Sequence, residues 1–419
     1  MRQVFRVVGY PRLFLGLTTS MLGDSVMLLV LSMWVKTLTG SNAQAGFTFF
    51  FLAVPALFAP LFGVWVDRLP RRAVLVWGHI LSAAMVLPLL LVHDAGDVWL
   101  IWLVAFFYGV SFVMLPAALN GVLKDLLPEE LLVDANASLA TTREAFRLVG
   151  PLVGALLFTW AGGWAVAVVD AATFLVAAAF VATIHVAEAP VAREERFRDE
   201  VLAGVRYLRT DRVLGLVLVG FAAAILVIGF SESAIYALLD AFDKPATWAS
   251  GFVTCMGVGA IAGGVSAGPV VRRTGEVAGC ALGLVVFGLA TAVCAVAPTL
   301  MVVFLGAGIM GAGLPLVYVA LNTLLQRRSP RELVGRVSAA VDITLAVPQV
   351  VSLALGAVLV VLVDWRVIFG IIAAVMVLGG LQIAVSLRDQ IRADLERGGT
   401  PEEPVPAAEA ELTPGADLL

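Results

Sequence analysis

The stretch Ala118-Leu119-Asn120-Gly121-Val122-Leu123-Lys124-Asp125-Leu126-Leu127-Pro128-Glu129-Glu130-Leu131 recurs 202 residues later. Its second copy reads Ala320-Leu321-Asn322-Thr323-Leu324-Leu325-Gln326-Arg327-Arg328-Ser329-Pro330-Arg331-Glu332-Leu333, with seven of fourteen positions identical. Gly154-Ala155 matches Gly356-Ala357 at the same offset. At an offset of 201, Gly63, Arg71 and Arg72 match Gly264, Arg272 and Arg273. Polar identities in loops at a steady offset mark an internal duplication.

Around each copy lie six long apolar segments. A helix that crosses a bilayer needs about 20 mostly apolar residues. On that scale the spans fall at 13–35, 45–66, 73–92, 98–120, 139–161, 164–186, 213–239, 248–270, 278–298, 300–322, 337–362 and 366–387. The runs are continuous and do not alternate, which excludes barrel strands. The fold expected is an all-α polytopic membrane protein of twelve helices in two parallel six-helix repeats. The N-terminal bundle is 1–186 and the C-terminal bundle 213–390, joined by a linker at 187–212. In the linker Phe197, Val201, Val205 and Leu208 recur at helical spacing, so an amphipathic helix is expected there. Residues 391–419 are read as a disordered cytoplasmic tail, with 398–419 rich in Glu, Pro, Ala and Gly.

Composition agrees. Of 419 residues, 61% are hydrophobic and 14% charged, against about 45–50% and about 25% in soluble proteins. So little charge cannot cover a soluble enzyme or a secreted module of this size. A net charge of −4 without a basic domain argues against nucleic-acid binding. Lys and Arg are placed asymmetrically. With the N-terminus in the cytoplasm, 24 of the 27 face that side and only Lys36, Lys244 and Arg366 lie opposite. By the positive-inside rule both termini are cytoplasmic, in a multi-pass cell-membrane protein. Cys255, Cys280 and Cys294 lie in apolar runs, and His79, His93 and His185 are scattered, so neither a metal site nor a disulfide is expected. No cofactor is expected either. The absence of a G-x-x-x-x-G-K-[ST] loop argues against an ATP-driven pump.

Six short stretches carry a family resemblance. Gly63-Val64-Trp65-Val66-Asp67-Arg68-Leu69-Pro70-Arg71-Arg72 lies between the second and third spans. Arg147-Leu148-Val149-Gly150-Pro151-Leu152-Val153-Gly154 lies in the fifth. Leu22-Gly23-Asp24 is followed by Thr39-Gly40-Ser41. Gly204-Val205-Arg206-Tyr207-Leu208 is in the linker, and Gly335-Arg336-Val337-Ser338 precedes the eleventh span. With these the chain resembles the major facilitator superfamily, in its drug-efflux branch of macrolide and siderophore exporters. The first stretch looks like the family's gate loop and the second like its antiporter signature. The fourth span has no Arg, so no proton role falls to such a residue.

The resemblance implies that Asp67, with Arg68, Arg71 and Arg72, latches onto the N-terminus of the eleventh helix near Arg336. A carboxylate is stabilised at such a helix end. The alternative is a topology signal alone. Gly63 is expected to allow close helix contact. Gly150, Pro151 and Gly154 are expected to bend the fifth helix and admit the eighth, where Gly259, Gly263, Gly264 and Gly268 form small-xxx-small pairs. This is either a leak seal or simple tight packing.

Ionisable groups at membrane depth are functional candidates by default. They are Asp24, Glu144, Arg147, Asp170, Glu232 and Asp342. Ser338, Asp342, Gln349 and Ser352 form one polar stripe on the eleventh helix, and Gln349 is the repeat partner of Arg147. Asp24, near the centre of the first span and one turn from Ser20, is the first choice for a proton carrier. Desolvation favours a protonated acid. The alternative is a satisfied structural acid. Arg147 is expected to pair with a carboxylate and switch it. Asp170 is expected near the outer surface and solvated, and Arg143 with Glu144 as a rim ion pair.

The function expected is secondary transport: export of small amphipathic molecules by proton antiport and alternating access, by a monomer. Lipid or lysolipid flipping and proton-coupled uptake stay open on the same fold. So does sodium coupling.

Overall fold

The computed structural model describes residues 3–66, 68–186, 206–208, 210–330 and 333–396. Asp67, most of the linker with Phe197, Val201 and Val205, and residues 397–419 lie outside them, as does the side chain of Arg336. Among the described residues eleven helices are long and apolar enough to cross a membrane. In hydrocarbon every backbone N–H and C=O must find its partner inside the segment, which is why these runs are helical.

The second span differs. It runs as Asn42–Ala53, a 3-10 turn Val54–Phe58 and Ala59–Val66. Pro55 sits in the turn, where it lacks an N–H to continue the ladder. The seventh span is also broken, into Arg212–Ile228 and Phe230–Ala241. At the break the Gly229 N–H donates to Ser352 Oγ on the eleventh span at 2.9 Å. Caps mark other ends. Ser41 accepts from the Gln44 N–H, Asp211 from Val213 and Leu214, and Asp364 from Arg366.

The duplication is visible in the helix bounds. Tyr10–Thr39 corresponds to Arg212–Ala241, and Val98–Leu126 to Leu300–Arg328, at the offset of 202. Packing repeats as well. In the N-terminal half the first span packs on the fifth and sixth, the third on the fourth and sixth, and the second on the fourth. In the C-terminal half the seventh packs on the eleventh and twelfth, the ninth on the tenth and twelfth, and the eighth on the tenth. Between halves the second meets the eleventh and the fifth meets the eighth, which are again equivalent pairs.

One expectation changes at the C-terminus. Residues from 391 on were expected to be unstructured, but Arg388–Glu396 is a helix. It packs on the eighth, ninth and twelfth spans. Its amphipathic face has a surface to cover, so the chain stays ordered past the last span.

Candidate functional site

The two halves touch unevenly. One face of the bundle carries Arg71, Arg272 and Arg327, and is called the arginine-rich face; the other carries Lys36 and Asp240. At that far face the halves are closely joined. Asn42–Ala53 packs on the seventh and eleventh spans. A Cβ added at Gly46 would lie 1.8 Å from Ser233 Oγ, so only glycine admits this contact. Lys36 Nζ donates to Asp240 Oδ2 at 2.6 Å, which ties the first span to the seventh. Towards the arginine-rich face the halves part. Ala59–Val66 packs on the fourth span of its own half. The repeat partners Gly63 and Gly264 would each accept a Cβ with nothing within 4 Å. The close contact expected at Gly63 is therefore absent in this conformation. The result is a cleft open at the arginine-rich face and closed at the far face.

Several candidates line this opening. Asp342 and Gln349 are exposed on the eleventh span. Arg147 is 66% exposed, and its guanidinium lies 3.9 Å from Glu144, itself 59% exposed. Tyr318 on the tenth span is 45% exposed, and the tenth span packs on the eleventh. Glu232 is an acid in the first turn of Phe230–Ala241. That position is favourable for a carboxylate on helix-dipole grounds alone. Glu144 pairs with Arg147 rather than serving only Arg143, because i and i+3 share a helix face.

Asp24 belongs to a different cluster. Tyr108 Oη lies 2.9 Å from Asp24 Oδ1 and 2.9 Å from Asp170 Oδ2, joining the first, fourth and sixth spans. Asp170 is 0% exposed, so the expectation of a solvated acid is wrong. Its helix turns it inward between Gly23 and Tyr108, away from the far surface. Ser20 is buried one turn from Asp24. Arg143 on the fifth span, which packs on the first, bears on Asp24 electrostatically. Tyr108 and the role of Arg143 were missed in the sequence. A single tyrosine inside an apolar span was the available signal.

The remaining candidates have local partners. Arg71 donates to Asp125 Oδ2 at 3.2 Å, and Arg72 to the carbonyls of Val181 and Ala182. Both bind inside the N-terminal half. Gly150 and Gly154 do not face the eighth span. A Cβ on Gly150 would lie 2.4 Å from Ser25 Cβ, and one on Gly154 2.3 Å from Val26 O, both on the first span. Gly259 and Gly263 meet Gly308 and Ala312 on the tenth. The reason is symmetry: these glycines serve packing within a half, and Gly356, partner of Gly154, meets Phe230 on the seventh span in the same way. Where the fifth and eighth do meet, Thr254 Oγ1 donates to Leu148 O at 3.3 Å. Pro151 lies inside the helix Glu129–Ala161. Among the described residues no group of three or more His, Cys, Asp or Glu is placed to hold a metal ion.

Known proteins resemble this architecture. Macrolide efflux protein A of Streptococcus pyogenes is 25% identical over 212 residues, 49% of this chain and 52% of that one. The match thus spans about half the length of that relative. An uncharacterized MFS-type transporter, YfiS of Bacillus subtilis, is 25% identical over 397 residues, 90% of this chain and 92% of that one. Among solved structures, a bacterial homologue of the iron transporter ferroportin in its inward-facing state has a TM-score of 0.73 at 16% identity. It covers 90% of this chain and 98% of that one. The outward-facing state of a bacterial ferroportin homologue gives 0.60. The family model of the Major Facilitator Superfamily matches residues 13–352 and 249–415, and with the duplicated twelve-helix bundle this makes the chain a member of that superfamily.

Proposed function

We propose that this transporter exports small amphipathic molecules from the cytoplasm by proton antiport. The observation that carries the reading is the cleft, open at the arginine-rich face and closed at the far face, beside a buried carboxyl cluster. The positive-inside rule assigns the arginine-rich face to the cytoplasm, with both termini there. The bundles 1–186 and 213–390 then rock about the seam between them, with 187–212 as the linker. Substrate enters from the cytoplasm. Protons enter from outside onto Asp24, and opposite occupancy of the two states couples the movements. The similarity to macrolide efflux proteins supports export. Asp67 and Arg336 are the proposed latch that holds the arginine-rich face shut in the opposite state, and Lys36 with Asp240 holds the far face shut in this one.

A second reading, flipping of a lipid or lysolipid, is favoured by one feature. A groove of about 360 Å³ opens along the seam between the fifth and eighth spans, lined by Leu152, Leu156, Trp248 and Phe304. The deciding experiment is transport in inverted vesicles against a panel of macrolides, siderophores and lysolipids at two external pH values. Proton-gradient-driven accumulation of a macrolide or siderophore supports antiport. Lysolipid movement indifferent to pH favours flipping, and movement with the proton gradient favours uptake.

A further inference from the structure

The bridge between Asp24, Tyr108 and Asp170 says more than that one acid is buried. A phenol carries one hydrogen. Its oxygen stands 2.9 Å from a carboxyl oxygen on each side. Both contacts are hydrogen bonds only if one carboxyl is protonated and donates to the phenol oxygen. Two ionised carboxylates flanking one phenol at membrane depth would be costly.

The surroundings decide which acid holds that proton. Asp170 is completely buried. Its Oδ1 has no hydrogen-bond partner and lies 2.5 Å from where a Cβ on Gly23 would stand. An ionised Asp170 would leave a charged oxygen without a partner. A neutral acid leaves only a carbonyl oxygen there, at far smaller cost. Asp24 is half-buried and has compensation: the hydroxyl of Tyr108, nearby Ser20 and the field of Arg143 on the fifth span. The other packed elements add no further charge. The second span has no ionisable residue from Asn42 to Val66. His79 on the third stands with its ring centroid 6.0 Å from that of Phe174 and its Nδ1 2.7 Å from Leu75 O.

We propose that these three residues form one proton-holding unit: Asp170 is the neutral acid and donates to Tyr108, Tyr108 donates to the Asp24 carboxylate, and Asp24 alone exchanges with the cleft. Proton uptake at Asp24 takes the unit from one carboxyl proton to two and discharges the carboxylate. Asp170 and Tyr108 are positioning residues that set how tightly Asp24 holds its proton. The inference rests on the antiport reading for its transport consequence, but the proton on Asp170 is testable without transport.

Two measurements test it. Infrared difference spectra between the unaltered protein and each variant, purified in lipid at an alkaline pH where Asp24 is ionised, are expected to show a protonated-carboxyl carbonyl stretch that persists in Asp24→Asn and is lost in Asp170→Asn. Absence of the band from the unaltered protein, or its survival in Asp170→Asn, overturns the assignment. The second measurement is the pH profile of proton-driven transport in proteoliposomes. Tyr108→Phe removes the donor to ionised Asp24, so its pH midpoint is expected to move about one unit higher. An unshifted Tyr108→Phe profile sinks the relay. If the unaltered protein shows no proton coupling at all, the antiport reading falls, and the infrared band still decides where the proton sits.

Discussion

The first and seventh spans occupy equivalent stretches, Tyr10–Thr39 and Arg212–Ala241, in two halves that pack alike. Their chemistry is not alike. At the offset of 202, Asp24, Tyr108 and Asp170 correspond to Leu226, Met310 and Ile372. Met310 and Ile372 are as buried as their polar counterparts. Duplication has thus preserved the scaffold and let one half specialise. The lesson is that backbone packing tolerates wide exchange of side chains at equal burial, whereas a buried carboxyl needs partners from three helices at once. The N-terminal half supplies those partners, and the C-terminal half supplies Asp342 and Gln349 to the cleft wall.

That contrast can be broken by paired substitutions. The largest effect is expected from Asp24→Asn, which should abolish proton-driven transport with insertion intact, while Leu226→Asn at the equivalent position leaves coupling in place. Proteoliposome flux under an imposed pH gradient compares the two, and full flux in Asp24→Asn removes Asp24 from the mechanism. Where the halves are alike, they should fail alike. Gly154→Val and Gly356→Val both force a side chain into backbone of the neighbouring span, at a cost of about 1–3 kcal/mol each. Thermal unfolding in detergent checks this, and one silent partner would deny their equivalence.

A smaller effect belongs to the tie across the halves. Lys36→Ala removes the ion pair with Asp240, in which the lysine is 11% and the aspartate 47% exposed. Its loss should cost the closed far face about 1 kcal/mol, roughly a fivefold shift in population. Spin-label distances between the far ends of the first and seventh spans would report it, and Lys36→Asp with Asp240→Lys should restore the closed state. The smallest effect is expected at Gly63 and Gly264. Alanine there meets nothing in this conformation, so stability should change by no more than about 0.5 kcal/mol, while turnover slows if these surfaces must meet on the other half of the cycle.

Much of the architecture was legible in the chain. The apolar periodicity and the repeat at Ala118 and Ala320 contain the spans, their pairing into halves and the asymmetric arginines. The cleft charges were legible too, because any ionisable residue at depth stands out. What was hidden is who meets whom. Gly154 looked like a partner for the eighth span and meets the first. Asp170 looked solvated and lies sealed beside Tyr108. Each of these depends on the rotation of a helix about its axis, and a span that is apolar nearly all round carries no strong stripe to orient it.

By itself the sequence determined the class of protein, the number of spans and their division into two repeats, because hydrocarbon demands long apolar helices and loops carry the charge. Tertiary structure decided the rest: which face of the cleft is closed, which glycines touch which backbones, and that two acids on different helices share one phenol. Those contacts join residues 62 and 84 positions apart, and only the packing of three helices brings them within hydrogen-bond reach.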